Sequence, residues 1–286
     1  MNQVDGSTEP AASTGYPDKP NEEQYATMTT NSLKTKLGAG GTVFGGWCTL
    51  SDSLIAEMVG GLDVDYVVVD MQHGVAAYSD LIAMLQGIDL TDATPLVRIP
   101  HGDFGLAQRV LDAGAQGIIV PLVDSAVDAA QAAQACRYPP IGGRSFGPIR
   151  SQMHLGVDSE HVNEEVLCLV QIETPAAMQN LEEIVATPGV DGVYVGPADL
   201  ALTHGLLVGR EDPALQALLT TVVQACRAAG VIAGVHAFSG TSARHASEMG
   251  FSMITVGSDA TWLRAGYSRE LSTARGTTPE GTRELY

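Results

Sequence analysis

The chain has 286 residues, of which 45% are hydrophobic, 33 are acidic and only 15 are lysine or arginine, so its formal net charge is −18. Its length suits a single α/β barrel, for which about 250 residues is typical. The negative charge argues against nucleic acid or an anionic membrane surface as a partner, because both would be repelled.

The spacing of the cysteines and the length of the apolar runs indicate where in the cell the protein is located. Four cysteines lie far apart and form no C-x-x-C pair. No apolar run approaches the roughly 18 residues of a membrane span, and the first residues have no apolar core of the kind a signal peptide needs. The sequence therefore predicts a cytoplasmic protein with reduced thiols and no membrane partner.

The predicted elements follow one repeating order. Residues 1–31 are rich in Ser, Thr, Pro, Asn and acids, which predicts a disordered leader. From about residue 40, short apolar runs alternate with Ala- and Leu-rich amphipathic stretches. The predicted strands are 43–49, 66–70, 96–99, 117–121, 167–173, 192–196, 231–236 and 253–257. The predicted helices lie near 52–60, 78–88, 103–113, 125–136, 175–186, 213–229, 240–249 and 259–274.

Eight apolar strands alternating with helices favour a closed parallel (β/α)8 barrel, the TIM barrel, in the α/β class. The alternative is an open doubly wound sheet, which usually has fewer strands and a G-x-G-x-x-G turn that this chain lacks. We expect one barrel domain at 32–275 with an extra C-terminal helix, and a frayed tail at 276–286. The Pro- and Gly-rich stretch from 138 to about 160 is predicted to be a long loop.

Two carboxylates follow neighbouring predicted strands. Glu173 ends the strand 167–173, and Asp199 comes shortly after the strand 192–196. Because barrel strands end at one rim, both acids are expected within reach of one cation. The alternative is that each acid caps the helix that follows it. All three lysines precede residue 40, so a lysine imine is not expected at this rim. The pair favours a divalent cation such as Mg²⁺, Mn²⁺ or Co²⁺.

Two further residues near strand ends are candidates for catalysis. Arg98 lies in the apolar run PLVRIP, where its guanidinium is either an oxyanion clamp or one half of a structural ion pair. His73 follows the second strand, and histidine is the side chain that most often performs acid/base work. The alternative for His73 is a hydrogen-bonding role in a loop.

Several strings of residues are characteristic when taken together. They are Trp47, VVVDMQHG (67–74), LVRI (96–99), LDAGAQGIIVP (111–121), RYPPIGGRSFG (137–147), LVQIET (169–174) and VDGVYVGPADL (190–200). With them the chain resembles the HpcH/HpaI family of class II, pyruvate-dependent aldolases from about residue 32 to 270. It also resembles the allied 2-dehydro-3-deoxyglucarate and 2-keto-3-deoxyrhamnonate aldolases. Two positions depart from the usual pattern: Gln72 replaces Glu, and GGRSFG replaces G-x-R-G-x-G.

The resemblance implies a role for each matching residue. Glu173 and Asp199 are expected to bind the divalent cation, Arg98 to steady the pyruvate oxygen, and His73 to act as the acid/base with support from Asp112. The segment 196–199 is expected to present backbone N–H groups to the substrate carboxylate. The expected substrate-binding residues are Trp47, Gln116, Gln171, Gly196, Pro197, Ala198 and Asp199.

The activity implied is the reversible aldol cleavage of a 4-hydroxy-2-oxo acid into pyruvate, or a close 2-oxo acid, and an aldehyde. The resemblance also implies a homo-oligomer, a hexamer that exchanges its C-terminal helix between subunits. Two alternatives stay open. One is an acyl-CoA lyase or 2-oxo acid decarboxylase of the same superfamily, and the other is a non-catalytic oligomer that binds 2-oxo acids.

Overall fold

The computed structural model describes residues 30–208 and 212–277. Apart from the residues at their inner edges, the predicted leader at 1–31 and the predicted tail at 276–286 lie outside the described residues. Within the described part, the first helix begins at Ser32 and the last ends at Arg275.

Eight parallel strands form a closed barrel in which each strand pairs with the next and the last pairs with the first. The predicted TIM barrel is therefore confirmed. The strands are β1 (Val43–Cys48), β2 (Tyr66–Asp70), β3 (Thr94–Arg98), β4 (Gly117–Val120), β5 (Leu167–Ile172), β6 (Gly192–Val195), β7 (Ile232–Ala237) and β8 (Met253–Val256).

Helices surround the barrel and include the predicted C-terminal helix. They are α1 (Ser32–Gly38), α2 (Ser53–Gly60), α3 (Tyr78–Ile88), α4 (Phe104–Asp112), α5 (Ala126–Cys136), α6 (Ser159–Glu165), α7 (Pro175–Gln179), α8 (Leu181–Val185), α9 (Pro197–Thr203), α10 (Pro213–Ala229), α11 (Gly240–Met249) and α12 (Asp259–Arg275). No helix in the described part of the chain is long and apolar enough to cross a membrane.

The structure differs from the predicted helices in four places. The short helices α1, α6 and α9 were not predicted, and α6 lies at the edge of the expected long loop. The predicted helix 175–186 is broken at Asn180, whose side-chain N–H donates to the backbone oxygen of Asp124 at 2.7 Å. That bond to a neighbouring loop holds Asn180 outside helical geometry (φ −101°, ψ 11°).

The interior of the barrel is filled by side chains, so the barrel is a packed core rather than a pore. Tyr66 and Tyr194 both reach Thr255, whose hydroxyl oxygen lies 2.9 Å and 2.6 Å from the two phenol oxygens. Gly45 makes room for this packing, because a Cβ there would lie 2.3 Å from the ring of Tyr66. Because side chains fill the interior, a ligand of the barrel itself binds at an end rather than along the axis.

Helix α1 covers the end of the barrel where the strands begin. Leu33 is fully buried there, and Lys34 pairs with Asp191 at 2.9 Å. Asp191 also pairs with Arg137 at 2.6 Å and accepts the N–H of Cys168 at 2.8 Å. Asp191, at this amino end of the barrel, is thus bound by two cations.

Candidate active site

The opposite end, where the strands finish, holds a cavity of about 570 Å³. A cavity of this size is typical of small-molecule sites. Among the residues predicted from the sequence, its lining includes Trp47, His73, Arg98, Gln171 and the segment 196–199. It also includes Thr49, Asp70, Tyr194, His236, Phe238 and Ser258.

The two predicted metal ligands face the same small space beside Gly196. A Cβ built on Gly196 would lie 3.0 Å from Glu173 Oε2, 3.7 Å from Asp199 Oδ2 and 3.3 Å from Gln171 Nε2. The absence of a side chain at Gly196 therefore keeps the space between the two carboxylates open. Consecutive strands β5 and β6 pair in parallel, which is why residues following them meet.

This arrangement suits a cation that completes its coordination shell from substrate and water. The described residues contain no cluster of three or more His, Cys, Asp or Glu side chains placed to hold a metal. Two carboxylates are nevertheless sufficient for Mg²⁺, which commonly keeps several waters and takes oxygens from its substrate. Gln171, whose Nε2 lies beside Gly196, has its Oε1 buried with no hydrogen-bond partner in the described structure.

Glu173 is held in an unfavourable setting for a charged group. It is 3% exposed, and it accepts hydrogen bonds from the N–H of Leu122 at 2.8 Å and from Gln171 Nε2 at 3.3 Å. Burial, together with the negative charge of Asp199, raises the pKa of Glu173 above its ordinary value. A cation bound between the two acids would relieve this repulsion.

Asp70 and Arg98 form a buried, two-pronged ion pair at the same rim. Arg98 Nε and Nη2 donate to the two carboxylate oxygens of Asp70 at 2.9 Å and 2.5 Å. The register that makes Asp70 and Arg98 partners on β2 and β3 sets this pair. Burial disfavours the charged carboxylate, but the hydrogen bonds and charge of Arg98 outweigh it and lower the pKa of Asp70.

The ion pair orients its neighbours. Trp47 Nε1 donates to Asp70 at 3.2 Å, and the guanidinium of Arg98 lies over the Trp47 ring at 4.9 Å. Asp70 also accepts the backbone N–H groups of Gln72 and His73 at 3.0 Å and 3.2 Å. Arg98 is therefore half of an ion pair and also part of the cavity wall.

His236 and Phe238 form the wall of the cavity on the β7 side. The imidazole of His236 meets the Trp47 ring edge-on at 5.2 Å, and the ring of Phe238 lies 5.7 Å away on the other side. Burial, reinforced by the charge of Arg98, lowers the pKa of His236 to about 4. This imidazole is therefore uncharged near neutral pH.

The segment 196–199 contributes backbone as well as a carboxylate. Gly196 is the N-cap of α9, and no side chain caps the first turn of that helix. The N–H groups of this turn adjoin the cavity, where a negatively charged group would be stabilised.

The structure does not bring two of the predicted residues to this cavity. Asp112 ends α4 and accepts from Arg144 at 2.7 Å. Gln116 precedes β4, and its backbone bonds to Pro95 and Leu167 at the amino end of the barrel. Within one chain, therefore, neither Asp112 nor Gln116 lines this cavity, and their expected roles stay predictions. The physical reason is topological: residues that precede a strand lie at the opposite end from residues that follow one.

Several residues that line the cavity were not predicted from the sequence. Asp70 is the last residue of β2, but its pairing with Arg98 depends on strand register. Tyr194 and His236 lie within strands, where an inward-facing residue near the carboxyl end is a usable signal. Phe238 and Ser258 follow strands and could have been found by the same rule.

The fold and its rim cavity define a (β/α)8-barrel enzyme. The family model for HpcH/HpaI aldolase/citrate lyase matches residues 44–265. The chain is 36% identical over 262 residues to a hydroxypyruvate/pyruvate aldolase of Agrobacterium fabrum, covering 90% of this chain and 98% of that protein. It is 35% identical to a 4-hydroxy-2-oxo-heptane-1,7-dioate aldolase of Salmonella arizonae, covering 82% of this chain and 91% of that protein.

A solved structure agrees. The crystal structure of an HpcH/HpaI aldolase/citrate lyase family protein from Burkholderia cenocepacia has a TM-score of 0.80 and 32% identity, covering 86% of this chain and 100% of that one. The chain therefore belongs to the HpcH/HpaI aldolase/citrate lyase family, and it is a carbon–carbon lyase.

Proposed function

We propose that the protein is a class II aldolase that uses a divalent cation to cleave a 4-hydroxy-2-oxo acid reversibly into pyruvate, or a close 2-oxo acid, and an aldehyde. The observation that carries this proposal is the convergence of the Glu173 and Asp199 carboxylates on the open space beside Gly196. The names of the aldolase relatives support it.

Glu173 and Asp199 would hold the cation, for which Mg²⁺, Mn²⁺ and Co²⁺ are the candidates. When bound, a divalent cation there would supply Lewis-acid polarisation of the 2-oxo group. The negative charges of Glu173 and Asp199 act on each other. No ion pair to either carboxylate is found among the described residues, which fits a cation site.

The remaining residues bind and orient the substrate. The N–H groups at the start of α9 would donate hydrogen bonds to the substrate carboxylate. Arg98, held in place by Asp70, would stabilise the negative charge that develops on the 2-oxo oxygen. Trp47 and Gln171 would fix the flat oxo-acid group between them.

His73 would move the proton. In cleavage it takes the proton of the 4-hydroxyl group, directly or through water, while the C3–C4 bond breaks and its electron pair passes toward the 2-oxo oxygen. The aldehyde leaves, and C3 receives the proton that His73 took, directly or through water, which yields the 2-oxo acid and restores His73. In condensation the same steps run in reverse.

We also propose a cytoplasmic homo-oligomer, a hexamer with exchanged C-terminal helices, in which residues 32–275 form the catalytic domain. Helix α12 supports this, because none of its residues is buried and Trp262, Leu263, Tyr267 and Leu271 are exposed on it. Exposed apolar side chains in such number favour an interface. The four cysteines are free and buried, which suits a reducing compartment.

Pyruvate release from 4-hydroxy-2-oxoheptanedioate and related acids, measured with and without EDTA, tests the proposed function. We expect release that stops in EDTA and returns when Mg²⁺ or Mn²⁺ is added in excess. Undiminished release in the chelator would contradict the cation assignment. Absence of release from every 4-hydroxy-2-oxo acid tried would contradict the reaction type.

A further inference from the structure

A second cavity adjoins the catalytic one. It has a volume of about 470 Å³ and lies between α10 and α11, outside β7. Leu215 and Leu219 of α10 form one side of it, and Ala246 and Met249 of α11 form the other. Its volume falls in the range of small-molecule sites.

The two cavities share a wall. Pro197, His236 and Phe238 line both of them. Alternation along β7 explains this, because His236 faces the barrel mouth whereas Val235 and Ala237 face the helices. The two cavities therefore meet at these three side chains.

The chemistry of the second cavity selects an uncharged occupant. Among the described residues, no Lys, Arg, Asp or Glu side chain lines it. Most of its polar side chains already bond to one another: Gln216 with His245 at 3.1 Å, and Ser239 with Ser242 at 3.1 Å. The hydroxyl of Thr241 also belongs to its polar lining. A charged terminal group would lose its hydration here without gaining a partner.

We propose that this cavity, which we call the side cavity, binds the apolar chain of the aldehyde half of the substrate. The inference rests on the proposed function and specifies the substrate class as 4-hydroxy-2-oxo acids whose C4 substituent is a long, uncharged hydrocarbon chain. The oxo-acid end occupies the rim beside Glu173 and Asp199, and the chain passes Phe238.

The test measures kcat/KM for the aldol addition of pyruvate to linear aldehydes from ethanal to octanal. Burial of each added methylene should raise kcat/KM by about fourfold until the side cavity is full. Succinic semialdehyde, which ends in a carboxylate, should react more slowly than pentanal. A flat chain-length series, or a preference for succinic semialdehyde, would overturn the proposal.

Two tryptophan variants make the test specific. Thr241 is exposed on α11 and lines the side cavity, whereas Thr220 is exposed on α10 and does not line it. Thr241→Trp should reduce the ratio of octanal to ethanal kcat/KM by about tenfold or more, which corresponds to losing two buried methylenes. Thr220→Trp should leave the ratio unchanged. Equal ratios in the two variants would count against the side cavity. Ala246→Val, which narrows its inner part, serves the same purpose if Thr241→Trp does not fold.

Exchange of the pyruvate methyl protons with deuterium separates the two proposals. Exchange needs no aldehyde, so Thr241→Trp should exchange at the wild-type rate. If the wild type exchanges but chain length has no effect, only the side-cavity proposal is wrong. If the wild type neither exchanges nor condenses, the proposed function itself is wrong and the side-cavity proposal is refuted with it.

Discussion

Two acids at the amino end of the barrel form ion pairs, whereas two acids at the carboxyl end form none among the described residues. At the amino end, Asp191 is bound by Lys34 and Arg137, and Asp65 is bound by Lys36 at 2.6 Å. At the carboxyl end, no ion pair to Glu173 or Asp199 is found within the described ranges, although the two acids face one space. Paired acids stabilise the fold, whereas unpaired acids that repel each other are retained for a ligand.

The carboxyl end of the barrel also contains a cationic side chain, and it is paired with Asp70. Arg98 is available there and binds Asp70 through both carboxylate oxygens. Its guanidinium is thereby fixed at the cavity wall. The carboxyl end therefore contains both kinds of acid. Asp70 is paired with an arginine of the same chain, whereas Glu173 and Asp199 have no such pair among the described residues.

The largest expected effect is on activity, at the carboxyl end. Glu173→Gln should lower kcat/KM by about a thousandfold, because loss of a cation ligand removes several kcal/mol of transition-state stabilisation. Its unfolding free energy should stay the same or rise, since the substitution removes a buried charge whose pKa is raised. Kinetic assays and urea unfolding measure the two quantities. A variant with wild-type kcat/KM would contradict the assignment.

Asp191→Asn is the matched change at the amino end and should show the reverse pattern. It leaves the nearly buried Arg137 without a full counter-charge, so the unfolding free energy should fall by about 3 kcal/mol. The folded fraction should keep its kcat/KM. Urea unfolding followed by circular dichroism checks the loss, and an unchanged midpoint would mean that this cluster does not stabilise the fold.

Asp70→Asn should lower both kcat/KM and the unfolding free energy, each by less than the substitutions above. Its effect on the unfolding free energy should depend on pH. The pKa of Asp70 is lowered in the folded chain, so its stabilising contribution, about 2 kcal/mol, is present above its ordinary pKa and is lost as pH falls through the lowered value. The urea midpoint of the wild type should exceed that of the variant at pH 7, and the gap should close as the pH falls from the ordinary pKa of an aspartate through the lowered value. A gap that is constant with pH would argue that packing, not charge, is responsible.

The smallest effect is expected at an exposed ion pair of the amino end. Lys36 pairs with Asp65, but the lysine side chain is 55% exposed. Lys36→Met should change the unfolding free energy by less than about 1 kcal/mol, because solvent screens such pairs. A loss of unfolding free energy as large as that of Asp191→Asn would show that exposure does not determine how strongly an ion pair stabilises the fold.

The sequence predicted the barrel and the meeting of Glu173 with Asp199 because both depend on local order: apolar strands alternate with helices, and each acid follows a strand. It did not predict the Asp70–Arg98 pair, since strand register is a tertiary property. Helix α1 was missed because its formation depends on burying Leu33 against the barrel. Gln116 lies outside the cavity of its own chain because it precedes a strand, so its expected role depends on the family resemblance alone.

Deuterium exchange into the methyl group of pyruvate tests the central contrast most directly. The account predicts exchange by the wild type that ceases in EDTA, returns with Mn²⁺, is lost in Glu173→Gln and persists in folded Asp191→Asn. Exchange that continues undiminished in EDTA, or in Glu173→Gln, would contradict it.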